Sequence, residues 1–222
     1  MRAGIVDYQM GNLASVSKAL ERVGVEAFVS PDPALLEQAD LIVLPGVGNF
    51  AAGMSHLREG GQDSFVKDWA GAGRPLLGIC LGMQLLFEHS AEGNTAGLGV
   101  IPGNVVRLDG PRKVPHMGWN TIRSVASPLF APFEGQRFYF VHSYICIPAR
   151  PVACAVTSYG EDFVSGVESG RDLPGHPGGR REDGEDFVSG VESGRIVGVQ
   201  FHPEKSSAAG LAMLGRLVEE LD

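Results

Sequence analysis

Cys80 ends an apolar run and stands in Gly78-Ile79-Cys80-Leu81-Gly82, with an amphipathic stretch behind it. A thiol placed this way can act as a nucleophile. A strand would deliver it to a sharp turn, flanking glycines would admit the strained backbone, and the free amides opening the next helix would favour the thiolate. A buried, inert cysteine is the ordinary alternative. The segment Val197-Gly198-Val199-Gln200-Phe201-His202-Pro203-Glu204, about 120 residues downstream, argues against it. In extended chain, residues two apart project to the same side, and Pro203 keeps His202 out of a helix. A carboxylate beside an imidazole fixes its tautomer and steadies the imidazolium, and the imidazole can then take a thiol proton. Cys80, His202 and Glu204 therefore make a complete Cys-His-Glu triad. Its chemistry is acyl transfer, which leaves both amidase and peptidase open.

Positioning three such groups requires strands that end at one edge, and the chain reads that way. Gly4 to Asp7 is a short apolar strand. Asn12 caps a helix that places Leu13, Val16, Leu20 and Val23 on one face, and Gly24 stops it. Glu26 to Ser30 reads as a strand, Ala34 to Gln38 as a short helix and Leu41 to Leu44 as a buried strand. Helical patterns follow at Ala51 to Leu57 and Ser64 to Ala70, before the strand that carries Cys80. From about Val100 the period becomes alternating, as in Arg137 to Val141, Ala153 to Ser158 and Ile196 to Phe201, and Ser206 to Leu221 closes the chain as a helix. This order predicts an α/β fold: a mixed central sheet with helices on both faces. Pro45-Gly46-Val47-Gly48 follows a buried strand at its C-terminal edge, where open α/β sheets place ligands. An acyl-transfer site needs amide donors for the developing oxyanion, and Leu81, next after the nucleophile, supplies one.

Composition bounds the function. The 222 residues are 44% hydrophobic, enough for the core of one domain spanning residues 1–222. A net charge of −8 argues against a nucleic-acid or acidic-membrane surface. No apolar run is long enough to span a bilayer, and no apolar leader precedes Asp7, so a cytoplasmic location is expected. Cys80, Cys146 and Cys154 have no CxxC spacing, and the histidines lack metal-ligand company, so neither metal nor cofactor is expected. His142 is expected to border the site, whereas His56, His89 and His176 read as solvated.

Several segments together resemble one family. Gly78-Ile79-Cys80-Leu81-Gly82-Met83-Gln84 and His202-Pro203-Glu204 resemble the class I, triad-type glutamine amidotransferases, which have a flavodoxin-like fold. Asp7-Tyr8-Gln9-Met10-Gly11-Asn12, Leu44-Pro45-Gly46-Val47-Gly48-Asn49-Phe50, Pro115-His116-Met117-Gly118-Trp119-Asn120 and Phe140-Val141-His142-Ser143-Tyr144 are similar to the glutaminase subunits of imidazole glycerol phosphate synthase. The resemblance covers nearly the whole chain. It implies hydrolysis of glutamine to glutamate and ammonia through a thioester on Cys80, with a second oxyanion donor from the amide of Val47 or Gly48 and a peptide there that reorients before the site is competent. It implies that Gln84, Glu92, Ser143 and Tyr144, with the Gly48 loop, hold the substrate's α-amino and α-carboxylate groups. It also implies that Tyr8, Asn12, Met117, Trp119, Asn120 and Lys205, in loops on the triad side, meet a cyclase subunit in a heterodimer. That subunit would use the ammonia to form imidazole glycerol phosphate and an aminoimidazole carboxamide ribotide in histidine biosynthesis. A glutaminase serving another acceptor, a non-catalytic binding module and a cysteine peptidase are the alternatives.

One feature departs from the family. Gly160 to Arg171 recurs residue for residue at Gly184 to Arg195. The family pattern has room for one copy, a strand leading into Ile196 to Phe201. Residues 160–183 therefore read as a duplicated, mobile loop insert, with the second copy favoured as the strand because its ordering closes no long loop.

Overall fold

The computed structural model describes residues 1–109, 111–124, 127–169 and 195–221. The first part of the chain alternates strand and helix: β1 (Arg2–Val6), α1 (Leu13–Arg22), β2 (Glu26–Ser30), α2 (Pro33–Leu36), β3 (Leu41–Gly46), α3 (Phe50–Glu59), α4 (Gln62–Gly71), β4 (Leu76–Cys80) and α5 (Leu81–Leu85). Strands dominate the remainder: β5 (Phe87–Ser90), β6 (Thr95–Ala96), β7 (Ile101–Arg107), β8 (His116–Thr121), β9 (Arg123–Ser124), β10 (Arg137–His142), β11 (Tyr144–Pro148), β12 (Ala153–Ser158), β13 (Asp162–Ser169) and β14 (Ile196–Val199), before α6 (Ser207–Leu221).

The main sheet runs β2-β1-β3-β4-β14-β13-β11-β7-β5-β6, with β12 paired to β13 and β9, while β8 and β10 form a separate antiparallel pair. β2, β1, β3, β4 and β14 are mutually parallel, and antiparallel pairing begins at β13. Alternation along β3 explains the layers. Leu41 and Val43 pack into one apolar cluster with Val16 and Leu20 of α1 and Leu214 of α6. Ile42 and Leu44 pack into another with Met54 of α3 and Val66 of α4. The expected mixed sheet covered on both faces is therefore what the chain forms. Asn12 caps α1 as read from the sequence, its side chain accepting from the Ser15 amide at 3.3 Å. No helix among the described residues is long and apolar enough to cross a membrane.

Two expectations are corrected. The first copy of the repeat, not the second, supplies the strand. β13 pairs antiparallel with β14, Gly166 opposite Val199 and Ser169 opposite Ile196, and with β12 through a tight turn at Gly160, φ +85°. Loop closure could not have favoured the second copy. Either choice keeps one short hairpin and leaves one long connection, so the entropic cost is the same. Residues 160–169 are accordingly a turn and strand, not mobile insert, and residues 170–183 lie outside the described residues. Second, Met117, Trp119 and Asn120 do not lie in a loop. They sit on β8, in register with β10 so that His116 faces His142 and Asn120 faces Phe138.

Candidate active site

Cys80 ends β4 with φ +55° and ψ −109°, a backbone that L-residues rarely adopt. The neighbouring glycines make that turn possible. A Cβ on Gly78 would sit 2.9 Å from the Met83 amide nitrogen, and one on Gly82 would overlap the Leu44 carbonyl oxygen. α5 can therefore fold back over β3 and β4 only because both positions lack side chains. β14 lies parallel beside β4, Val199 opposite Ile79, so Gln200, Phe201 and His202 leave the sheet next to the nucleophile.

His202 Nδ1 and Glu204 Oε1 are 2.8 Å apart, both side chains being only 2% exposed. Burial alone would lower the imidazole pKa. The nearby Cys80 sulfur first, and then Glu204, outweigh burial and push His202 up to about 10. His202 Nε2 has no hydrogen-bond partner. The ring leaves the sheet beside Cys80 with that nitrogen open, as catalytic pairs often stand before substrate tightens them. The structure brings all three expected triad residues together.

A cavity of about 240 Å³ opens at the sulfur, lined by Val47, Gly48, Leu81, Gln84, Glu92, Pro115 and residues 141–144. It is smaller than the roughly 300–1,000 Å³ of drug-sized sites, which suits a single amino acid better than a peptide segment. Every residue expected to bind substrate or donate to an oxyanion lies in its wall. Gly48 has φ +103°, which glycine alone tolerates easily. Glu92 is anchored by the Phe50 amide at 2.7 Å. Gln84 is buried, and its Nε2 donates to the Tyr144 carbonyl at 3.0 Å and to Gln200 Oε1 at 2.9 Å.

The expected partner-facing residues divide. Met117 and Trp119 are 62% and 43% exposed, and Asn12 and Lys205 are exposed as well. Asn120 instead turns inward, donating to the Ser158 carbonyl at 3.0 Å. Tyr8 is buried, and its hydroxyl donates to the Pro45 carbonyl at 2.6 Å. It props the Gly-rich loop from beneath rather than offering a surface, and burial pushes its phenol well above the usual range. His56 is not simply solvated: half-buried, its Nδ1 donates to the Tyr8 carbonyl at 3.1 Å. His89 bonds Asn94, His142 lines the cavity as expected, and His176 lies outside the described residues.

Sequence reasoning missed two residues. Gln200 is fully buried and its Nε2 reaches Cys80 Sγ at 3.6 Å. Its position two before His202 was the available signal, since alternation along extended chain puts both on one side. His116 is buried against His142, with 3.0 Å between Nδ1 and Nε2. Nothing in the spacing of Pro115 to Asn120 alone marks it.

Residues 4–172 match the family model described as glutamine amidotransferase class-I. A chain from Halalkalibacterium halodurans, imidazole glycerol phosphate synthase subunit HisH, is 45% identical, covering 98% of this sequence and 96% of its own. The subunit of the same name from Methanopyrus kandleri is 42% identical, with 98% coverage of each. Among solved structures, a glutamine amidotransferase superposes with TM-score 0.71 at 18% identity, covering 99% of this chain and 98% of its own. PurLQS from Thermotoga maritima superposes with TM-score 0.65 at 19% identity, covering 99% and 96%. These two likenesses bear on the fold alone.

Proposed function

Since the chain belongs to the class-I glutamine amidotransferase family, we propose that it is the glutaminase subunit of imidazole glycerol phosphate synthase, acting in histidine biosynthesis. Cys80 Sγ attacks the side-chain amide carbon of glutamine, and the negative charge moves to the amide oxygen. The amides of Leu81 and of Val47 or Gly48 stabilise that oxyanion. As the C–N bond breaks, the His202 imidazolium gives its proton to the departing ammonia, leaving a glutamyl thioester. Water, deprotonated by His202, then releases glutamate and restores the thiol. Glu204 holds the imidazole in the tautomer that both steps require. Gln84, Glu92, Ser143 and Tyr144 hold the amino-acid end of the substrate.

The ammonia passes to a cyclase subunit, with which this chain forms a heterodimer in the cytoplasm. Asn12, Met117, Trp119 and Lys205 form the docking surface, with Trp119 as an aromatic anchor. The observation that carries the reading is the meeting of a strained Cys80 turn and a buried His202–Glu204 pair beside a cavity sized for one amino acid. The test is glutamate release with and without the cyclase subunit and its ribotide ligand. Strong stimulation by both, and silence of Cys80→Ala, is the expected result. Equal release by Cys80→Ala in the assembled enzyme would contradict the cysteine mechanism, and stimulation by a different acceptor enzyme would contradict the pathway.

A further inference from the structure

His116 is an expensive choice for its position. Buried between the rings of Phe140 (4.9 Å between centroids) and Tyr159 (4.1 Å), it occupies a slot that phenylalanine would fill without desolvating a polar ring. What the imidazole adds is a hydrogen bond with a forced direction. The Tyr144 carbonyl can only accept, so His142, 2.9 Å away, carries its proton on Nδ1. Its Nε2 is then a lone pair, and His116 must donate to it from Nδ1 across 3.0 Å. His116 Nε2, in turn a lone pair, faces Asn120 Nδ2 at 3.4 Å. The Asn120 amide is held in that orientation by the Thr121 amide on its oxygen, 2.8 Å, and by the Ser158 carbonyl on its nitrogen. Both rings stay neutral, since burial first, with Arg112 beside His116, lowers that imidazole to about 4 and burial lowers His142 to about 3.

The chain of donors ends on a node of the cavity. The Tyr144 carbonyl accepts from His142 and from Gln84, Gln84 also donates to Gln200, and Gln200 donates to Cys80 Sγ. We propose that His116 is a positioning residue of the glutamine site, acting through His142 to fix the Tyr144 carbonyl and with it Gln84 and the substrate-facing wall. This rests on the reading that glutamine is the substrate. His116 touches no reacting atom; its contribution is the single direction in which every bond from Asn120 to Tyr144 can point.

The test is steady-state glutamine hydrolysis by the assembled enzyme. His116→Phe keeps the ring stack and deletes the donor, so KM for glutamine should rise about tenfold, the scale of one buried hydrogen bond, with kcat within about threefold of wild type. His116→Asn, which returns an N–H near the place of Nδ1, should recover most of that loss. A KM unchanged in His116→Phe, or one that rises and is not recovered by His116→Asn, would overturn the proposal. Independently of whether these variants fold, long-range ¹H–¹⁵N spectra of the wild-type protein should show His116 and His142 both protonated at Nδ1. Protonation of His142 at Nε2 would overturn the relay. A wild-type complex inert towards glutamine would instead bring down the parent reading, and this proposal with it; an active wild type with an unmoved variant sinks the relay alone.

Discussion

The chemistry at the residue scale depends on how firmly His202 holds its proton. Burial opposes the imidazolium, while the Cys80 sulfur and Glu204 support it, and the support wins, placing the group at about 10 against an ordinary 6.5. A pKa raised on folding contributes stability that is full below the unfolded value and is lost as pH rises through the folded one. Denaturant unfolding from pH 6 to 11 should therefore show stability falling across about pH 6.5–10, and His202→Asn should abolish that part of the slope. An NMR titration of the His202 ring should move downward in Cys80→Ala, because the sulfur is the strongest of the supporting influences. An unmoved midpoint would show that sulfur and ring do not interact. The meeting of Cys80 with His202 and Glu204 was legible in the sequence, since Cys80 between glycines and His202-Pro203-Glu204 carry local signatures. Gln200 was signalled only by standing two residues before His202, and His116 not at all, because a buried polar side chain is identified by what it bonds, and its partner His142 lies on another strand.

The decisive contact between elements is α5 against β3. Gly82 lets the helix approach the Leu44 carbonyl, and Gly78 admits the backbone of Met83. Gly82→Ala must push the two apart, so a destabilisation of about 1–3 kcal/mol is expected by denaturant unfolding. Gly71→Ala, at the end of α4 with open space where its Cβ would go, should be neutral or slightly stabilising. Equal effects at the two sites would show that the close approach is not what holds the turn. Strands and helices of the parallel half were readable from their patterns because most of them, β2 and α2 excepted, bury a continuous face. β8 was not, being read as a loop, although its alternation was present in the sequence: His116 and Asn120 turn inward while Met117 and Trp119 turn out. Glycine at 118, with φ +133°, disguised a strand as a turn.

For the whole molecule, the repeat poses one question of length. Deleting residues 160–183 or residues 172–195 yields the same polypeptide, with β12, one strand copy and β14 joined by short turns. The connection across residues 170–195 shrinks to two residues, and loop closure predicts a gain of about 2 kcal/mol. Unfolding of the deleted chain should show that gain with glutamine hydrolysis retained. Loss of folding would mean that the surplus chain is structural. The choice between copies could not be read from the sequence, because identical residues have identical propensities and the two loop arrangements cost the same. The mixed sheet was legible, since its buried strands and amphipathic helices leave few other ways to cover two apolar faces.

In the proposed reaction the Cys80 sulfur carries the glutamyl group during turnover. That step is tested most directly by quenching the assembled enzyme during glutamine hydrolysis and mapping the acylated peptide by mass spectrometry. A glutamyl thioester is expected on the peptide containing Cys80, accumulating within one turnover and absent from Cys80→Ala. Turnover with no adduct on Cys80, or with the adduct on Cys146 or Cys154, would contradict it.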